Sequence, residues 1–553
     1  MLLSRVNRLR ADDRGSALIA VLALAAVTGV IAVTVGTVSV NSLRFSNDVS
    51  AGVEARAAAE AGIVRAELAL RTETGCAAAN GVFTSTVAPE YRVVVSYDNG
   101  SGWVNGCPLI DATQVRFLST GYANRTTFAG SSAENGRVVE AVYQYIPEYV
   151  EVPEVDPAVY AYTIDGVLKN FVLDSADITI AADLQIKTGN FVCSNNAQVA
   201  GDVILADGYA DLTSCTINGD LHVAKYASIK SGSVVRDDAI AVGSGVASTV
   251  DVVKVSAGST VRGSIFAGGN VSVLSSSASL VKGNITAHRD TSTKVVVATG
   301  STVEGNVLSS GTIQRNGTIL GTQSTGVVGL SAPLAPRVPD WTDIPWAVST
   351  QAQFEATTWY QQGFTNRVVW SGDCTMGSLD PRWSALQTYT TPTVIDATAC
   401  TGGVKTLNNL SPDLGLKTDI VFFADSFTFE KLYMSSSNVS VPRDLYFIVP
   451  DNTANALPTC TGESGNIYLT TEANITASVS AFVYTPCEIL SDRDGWRGQL
   501  YGGQVDFNQQ AQMTYVPTSP PGIDLSASLP PILVLDDAFL GERLSIREVA
   551  AGG

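Results

Sequence analysis

The 553 residues carry a formal charge of -18 with only 16% of positions charged, and 45% are hydrophobic. At roughly 150 residues per domain the chain exceeds one domain, and its apolar content excludes global disorder. No stretch of sequence concentrates Lys and Arg, and phosphate binding needs concentrated positive charge, so nucleic acid is excluded as a partner.

Met1 to Arg14 contains Arg5, Arg8, Arg10 and Arg14, and an uncharged run follows from Ala17 to Val40. As a helix that run spans roughly 36 Å, enough for a hydrocarbon core of roughly 30 Å. The arginines place this end in the cytoplasm and export everything after Val40. The run is longer than the core of a secretory signal peptide. It also continues into a helical pattern in which Phe45, Val49, Val53, Ala57, Ala61, Val64 and Leu68 form one stripe. One helix of roughly 84 Å is expected from Ser16 to about Arg71, ending before Gly75. Ala17, Ala20, Ala23, Gly29, Ala32 and Gly36 let neighbouring helices approach closely.

Arg14-Gly15-Ser16-Ala17-Leu18-Ile19, the apolar run, and Ala55-Arg56-Ala57-Ala58-Ala59-Glu60-Ala61-Gly62 resemble type IV pilins, and among them the PilX-type pilus assembly proteins. The resemblance implies cleavage by a prepilin peptidase between Gly15 and Ser16. It also implies packing of the mature helix against other pilin subunits, with Ala20, Phe45, Val49 and Val53 on the assembly helix. Most major pilins carry glutamate at the fifth mature position, and here that position is Ala20. A carboxylate in a bilayer is functional when present, so its absence implies a minor subunit rather than the bulk one.

Tyr91–Tyr97, Val115–Gly121 and Arg137–Tyr145 are strand-like, and a small antiparallel sheet packed on the exposed half of the helix is expected. From about Val159 the character changes. Gly201-Asp202-Val203, Gly219-Asp220-Leu221, Gly263-Ser264-Ile265, Gly283-Asn284-Ile285, Gly305-Asn306-Val307 and Gly317-Thr318-Ile319 recur, often 18 to 22 residues apart. Short β runs at such a period suggest a parallel β-helix, similar to bactofilin-like solenoids, with a β-sandwich as the alternative. Asp202, Asp220, Asp237, Asp238 and Glu304 are the acids a polysaccharide-cleaving solenoid would use. The position after glycine accepts Asp, Ser, Asn and Thr interchangeably, which fits a turn role and not an acid/base pair. No catalytic residue, cofactor or metal site is therefore assigned. His222 and His288 are read as surface or coil-filling residues.

The prolines of 331–340 suggest a linker. Trp341, Trp346, Trp359 and Trp370, with Trp383, are either the core of a capping domain, the simpler reading, or ligand-stacking aromatics. Strands resume beyond Cys400, and a short helix is expected near Asp537–Val549. The eight cysteines fall into successive pairs, Cys76 with Cys107, Cys193 with Cys215, Cys374 with Cys400 and Cys460 with Cys487. This suggests four local disulfides, one or two per domain, in an oxidising location.

The expected fold is mainly β. A leader (1–15) precedes a transmembrane and stem helix (16–72), a small pilin-like α+β head (73–157) and β-helix repeats (158–330). A Pro-rich linker (331–350), a β-rich domain (351–520) that could continue the β-helix, and a tail (521–553) complete it. The expected function is a non-enzymatic minor pilin-like component of a type IV pilus or related filament, with a structural or adhesive solenoid head. Its partners are pilin subunits, prepilin peptidase, the membrane, and a surface glycan or host or cell-surface ligand. The alternative is a membrane-anchored carbohydrate-binding or polysaccharide-degrading β-helix protein. The expected location is the bacterial cell membrane, single-pass with a cytoplasmic N-terminus and the bulk outside, or a surface filament.

Overall fold

The computed structural model describes residues 13–70, 76, 81–98, 102–108, 112–123, 136–152, 156–164, 166–275, 277–378, 380–411, 413–460, 462–491, 494–507, 511–529 and 532–549. Leader residues 1–12 lie outside them. The chain divides into two units, 1–152 with 531–553, and 153–530.

In the first unit, helix α1 (Asp13–Ala69) joins a sheet of β1 (Val82–Ser85), β2 (Glu90–Asp98), β4 (Gln114–Tyr122) and β5 (Gly136–Val152), with β3 (Trp103–Asn105) hydrogen-bonded to β2. Every pairing in this sheet is antiparallel. The helix buries Ala51, Ala55 and Ala58, and packs Ala59, Ile63 and Ala66 against Val93, Val95, Val115, Phe117 and Ala141. Small residues are needed there. A Cβ on Gly62 would come within 2.7 Å of Ser119 Oγ and Val93 Cγ2, and one on Gly121 would run into the backbone of Ala55 and Ala59. Helix and sheet thus meet almost backbone to backbone, and the bulk of this core comes from the strands. Cys76–Cys107 cross-links the unit.

The sheet has a fifth member in its main order that the sequence reading missed. Ile532–Val549 forms a strand and pairs antiparallel with β5, from Ile532 opposite Val152 to Val549 opposite Val138. This corrects the expected helix near Asp537–Val549. Glu542, Arg543, Leu544, Ser545, Ile546, Arg547 and Glu548 are all exposed, so this part of the strand commits neither face to the core. Arg547 pairs with Glu140 at 2.7 Å and Arg137 with Glu548 at 3.4 Å. The second unit is therefore inserted in the chain between two strands that are direct neighbours.

That unit is a parallel solenoid, which removes the sandwich alternative. From Leu168 to Ser324 each coil contributes one strand to each of three sheets, the first opening with Leu168–Lys169, the second with Val172–Ser175 and the third with Leu184–Gly189, and all pairings are parallel. Val, Ile, Leu and Ala point inward, as the alternation predicts, and the bonded pair Cys193–Cys215 lies in the same core. The C-terminal strands continue the same solenoid, but from its other end. The last long strand, Asp494–Phe507, pairs with Val159–Ile164, and Gln512–Tyr515 pairs with Val172–Ser175. One inward column of the third sheet consequently runs Ile395, Phe422, Phe447, Val483, Leu500, Val159, Leu184, Val203, Leu221, Ala239, Ile265, Ile285, Val307. The chain starts in the middle, winds outward to Ser324, returns along the outside, and winds back from Asn366 to the middle.

The returning stretch is a packed strap, so 331–350 is not a free linker. Val338, Trp341, Ile344 and Trp346 are buried against the outward side of the third sheet. Lys187 Nζ donates to Val338 O at 2.8 Å and pairs with Asp340, while the Tyr160 hydroxyl donates to Pro339 O. The Tyr484 hydroxyl accepts from Ile344 N and donates to Thr342 O. Burial drives the Tyr484 hydroxyl's pKa well above its ordinary value, so it stays protonated and keeps both bonds.

Candidate functional site

Four arrangements stand out in the sequence: the stem stripe, the acidic repeat, the tryptophans and the cysteine pairs. The structure treats each differently.

Residues Leu18–Ala69 form a helix long and apolar enough to cross a membrane, with mean hydropathy 2.7 in its most apolar 18-residue window. Ala20 lies on it, and Gly15 and Ser16 lie just before it, in the first turn and a half of α1. The stripe Phe45, Val49, Val53, Val64, Leu68 faces away from the sheet. Phe45 is 71% exposed and Val53 66%. At 100° per residue Val53, Val64 and Leu68 lie roughly 100–180° from the buried Ala51, Ala55 and Ala59, while Phe45 and Val49 precede the part of the helix that the sheet covers. The stem therefore has two apolar faces. A small-residue face takes the sheet, and a branched and aromatic face is bare and continuous with the uncharged run. Arg56 and Glu60, whose azimuths fall between those of Phe45 and Val53, pair with each other on this face at 3.0 Å.

The repeated corner of the solenoid holds a hydrogen-bond ladder. Asp183 accepts the Asp202 N–H at 2.7 Å, Asp202 that of Asp220 at 2.7 Å, Asp220 that of Asp238 at 2.7 Å, and Asp238 that of Ser264 at 2.6 Å. Ser264, Asn284 and Asn306 continue it to Asn284, Asn306 and Thr322. Each side chain thus ties its coil to the next, which explains why Asp, Ser and Asn interchange. The preceding glycine is steric. A Cβ on Gly201 or Gly219 would strike the carboxylate of the coil before, and one on Gly283 or Gly305 the backbone of the coil before. One member of the sequence series is misplaced. Gly317-Thr318-Ile319 belongs to the second sheet, and Gly321-Thr322 holds the equivalent corner.

Burial raises the Asp202 and Asp220 pKa values, and neighbouring carboxylates raise them further, against the opposing effect of the N–H each accepts. Asp237 and Glu304 are exposed outside the ladder. Among the described residues no His/Cys/Asp/Glu group is arranged to hold a metal ion. His222 Nε2 bonds to Leu334 O of the strap at 2.8 Å, and burial lowers its pKa, so the ring serves as a neutral latch.

The candidate ligand aromatics are interior. Trp341, Trp346, Trp359 and Trp370 are all at most 5% exposed. Trp341 lies against Tyr160, Tyr484 and Tyr501, with its Nε1–H on Asp451 at 3.1 Å. Trp346 stacks on Phe423, and Trp359 meets Phe364, Phe423 and Tyr446. Trp370 lies against Phe422 and Arg382. Their ring faces are occupied, so none stacks a surface ligand. The outward tyrosines Tyr160, Tyr484 and Tyr501 are the partners that sequence reasoning missed. Their only signal was recurrence beside inward aliphatics on three strands.

All eight cysteines are paired as the spacing suggested. The Cα separations are 5.8 Å for Cys76–Cys107, 6.2 Å for Cys193–Cys215, 5.6 Å for Cys374–Cys400 and 4.8 Å for Cys460–Cys487. Only Cys76–Cys107 lies in the first unit; the other three all belong to the one solenoid, which corrects the expected spread over separate domains. Cys215 also sits where strand alternation does not put it. Cys193 is an inward position of the strand Phe191–Ser194, whereas Cys215 occupies the corner between the strands Ala210–Thr213 and Thr216–Ile217. The corner turns its side chain inward beneath the next coil, where its N–H donates to Ser233 Oγ at 3.1 Å. Its Sγ lies 3.5 Å from Thr213 O, a contact and not a hydrogen bond, since a disulfide sulfur carries no proton. Cys193–Cys215 therefore ties one coil to the next inside the core, and offers no thiol to a ligand or metal.

Two clefts flank the Cys460–Cys487 bridge. One of about 440 Å³ is lined by Tyr162, Asn466, Glu488 and Gln504, the other of about 370 Å³ by Trp346, Asp425, Asp451 and Asn452. Asn466 is already spent on Tyr468 and Glu488, and Asp451 on Trp341 and Thr459, so these two polar groups are engaged internally.

No protein-family model and no curated protein sequence matches the chain. Among solved structures, the competence-associated pilin ComZ from Thermus thermophilus is similar over 90% of this chain and 97% of its own. The identity is 12% and the TM-score 0.27. A likeness at that score carries no inference about function.

Proposed function

We propose that the chain is a non-enzymatic, minor pilin-like component of a type IV pilus or related filament, of the PilX type, which displays its solenoid with a structural or adhesive role. Prepilin peptidase releases the leader at Gly15, the helix holds the chain in the cell membrane with the bulk outside, and other pilin helices take up its bare face. The observation that carries this reading is the two-faced stem. The sheet occupies the Ala/Gly face, while Phe45, Val49, Val53, Val64 and Leu68 remain exposed in line with the membrane-spanning run. Burying such side chains is worth about 1.5–3 kcal/mol each, which favours a partner helix over water. Ala20 in place of glutamate supports a minor role, because the subunit lacks the usual carboxylate at that depth.

The test is to shear filaments from cells and identify their subunits by mass spectrometry, in parallel with a strain lacking prepilin peptidase. The chain is expected in the sheared fraction at low abundance and absent from it in the mutant. Its retention in the membrane of both strains, with none in filaments, contradicts the reading.

A further inference from the structure

The second sheet carries a feature invisible in the linear sequence. Val235, Val261 and Val281 pair in register on successive coils. The residue after each is a cation: Arg236, Arg262 and Lys282. Their backbone N–H groups donate to Ile217, Val235 and Val261 at 2.9, 2.9 and 3.0 Å, so the three are stacked coil on coil. All three side chains are exposed, and among the described residues none is in an ion pair. Coils repeat every 4.7–4.9 Å, so the charges line a strip of roughly 10 Å along the solenoid axis. Alongside run Val234, Thr260 and Leu280, a low surface without charge. Asp237 and Glu304 bound the strip, and the chain as a whole is at -18.

We propose that Arg236, Arg262 and Lys282 bind a linear acidic polysaccharide, one carboxylate per sugar residue, laid along the axis across the coils. A polymer whose charges recur at intervals comparable with the coil repeat engages all three cations at once, and weak contacts in register add up through effective concentration. Duplex DNA fits poorly, because its charges, one per about 1.7 Å, far outnumber three cations and meet Asp237 and Glu304 at the margins of the strip. Single strands need exposed aromatic platforms, and the tryptophans of this unit are buried. The strip is independent of the stem, so this proposal and the filament reading fail separately.

The experiment measures binding of the full chain, in detergent micelles, to polygalacturonate at about 20 and about 200 mM salt, where screening differs strongly. Wild type is expected to bind at low salt and to weaken at high salt. R236E/R262E/K282E is expected to lose at least about tenfold in affinity, as a charge-screened contact would, and R236Q/R262Q/K282Q to fall between. K169E/R315E/K417E, with the same change in net charge elsewhere on the solenoid, is expected to bind as wild type. Circular dichroism checks that each variant is folded. No binding by wild type, equal losses in the two charge-reversal variants, or tighter binding of single-stranded DNA than of polygalacturonate overturns the proposal.

Discussion

Replacing Asp220 separates hydrogen bonding from charge at the solenoid corner. Its carboxylate accepts the Asp238 N–H, and its own N–H is accepted by Asp202, both at 2.7 Å. Asp220→Ala leaves the Asp238 N–H without its partner, and losing a bond to a charged acceptor is expected to cost about 1.5–3 kcal/mol. Asp220→Asn keeps an acceptor, as Asn284 and Asn306 do further along the same ladder at 2.8 Å. It also removes a charge that burial and Asp202, Asp238 and Asp237 disfavour. The Asp220 pKa is raised in the folded state, so the native protein binds more protons than the unfolded chain just above the ordinary value of 3.8. Wild-type stability therefore falls as pH rises through that window, and the penalty is fully present above it. Asp220→Asn should be at least as stable as wild type at pH 7, and its advantage should shrink as pH falls towards 4. Six of the seven tryptophans lie in the solenoid unit, so urea unfolding followed by tryptophan fluorescence reads it directly. If Asp220→Asn is destabilised as much as Asp220→Ala, the ladder bond does not hold the corner.

Gly219→Ala places a methyl group against the Asp202 carboxylate and the Gly201 backbone, and is expected to destabilise the solenoid by about 1–3 kcal/mol in the same assay. Trp341→Ala removes the ring that fills the space between Tyr160, Tyr484 and Tyr501 and leaves Asp451 short of a donor. A loss of about 3–5 kcal/mol is expected, together with faster proteolysis of the strap near Leu334. Val53→Asp sits on the bare face of the stem, so thermal unfolding should move by no more than about 0.5 kcal/mol while recovery in sheared filaments drops sharply.

The parts of this fold that were legible in the sequence are those whose signal is local. The run from Ala17 to Val40 needs only composition, and the Gly-Asp corner repeats because each coil meets the next in the same way. The cysteines pair with their nearest neighbours along the chain, so spacing suffices, although only the coil geometry shows that Cys215 turns inward from a corner. What stayed hidden depends on distant segments. Ile532–Val549 is a strand because β5 offers it an edge some four hundred positions earlier, and that edge cannot be read from the segment's own sequence. Leu500 opposite Val159 joins two runs of coils that the chain separates by the whole outward winding. The sheet-facing side of the stem is mostly Ala and Gly, so hydrophobicity pointed instead to the exposed Val53, Val64 and Leu68. The cationic strip was hidden for the same reason: Arg236, Arg262 and Lys282 are scattered along the chain, and only the coil repeat stacks them.

The central claim is that the N-terminal helix is a processed assembly stem and not merely an anchor. Mass spectrometry of the N-terminal peptide of the protein recovered from cells tests it most directly. The account predicts a mature chain beginning at Ser16. A chain still beginning at Met1, or one cut beyond Val40, contradicts it.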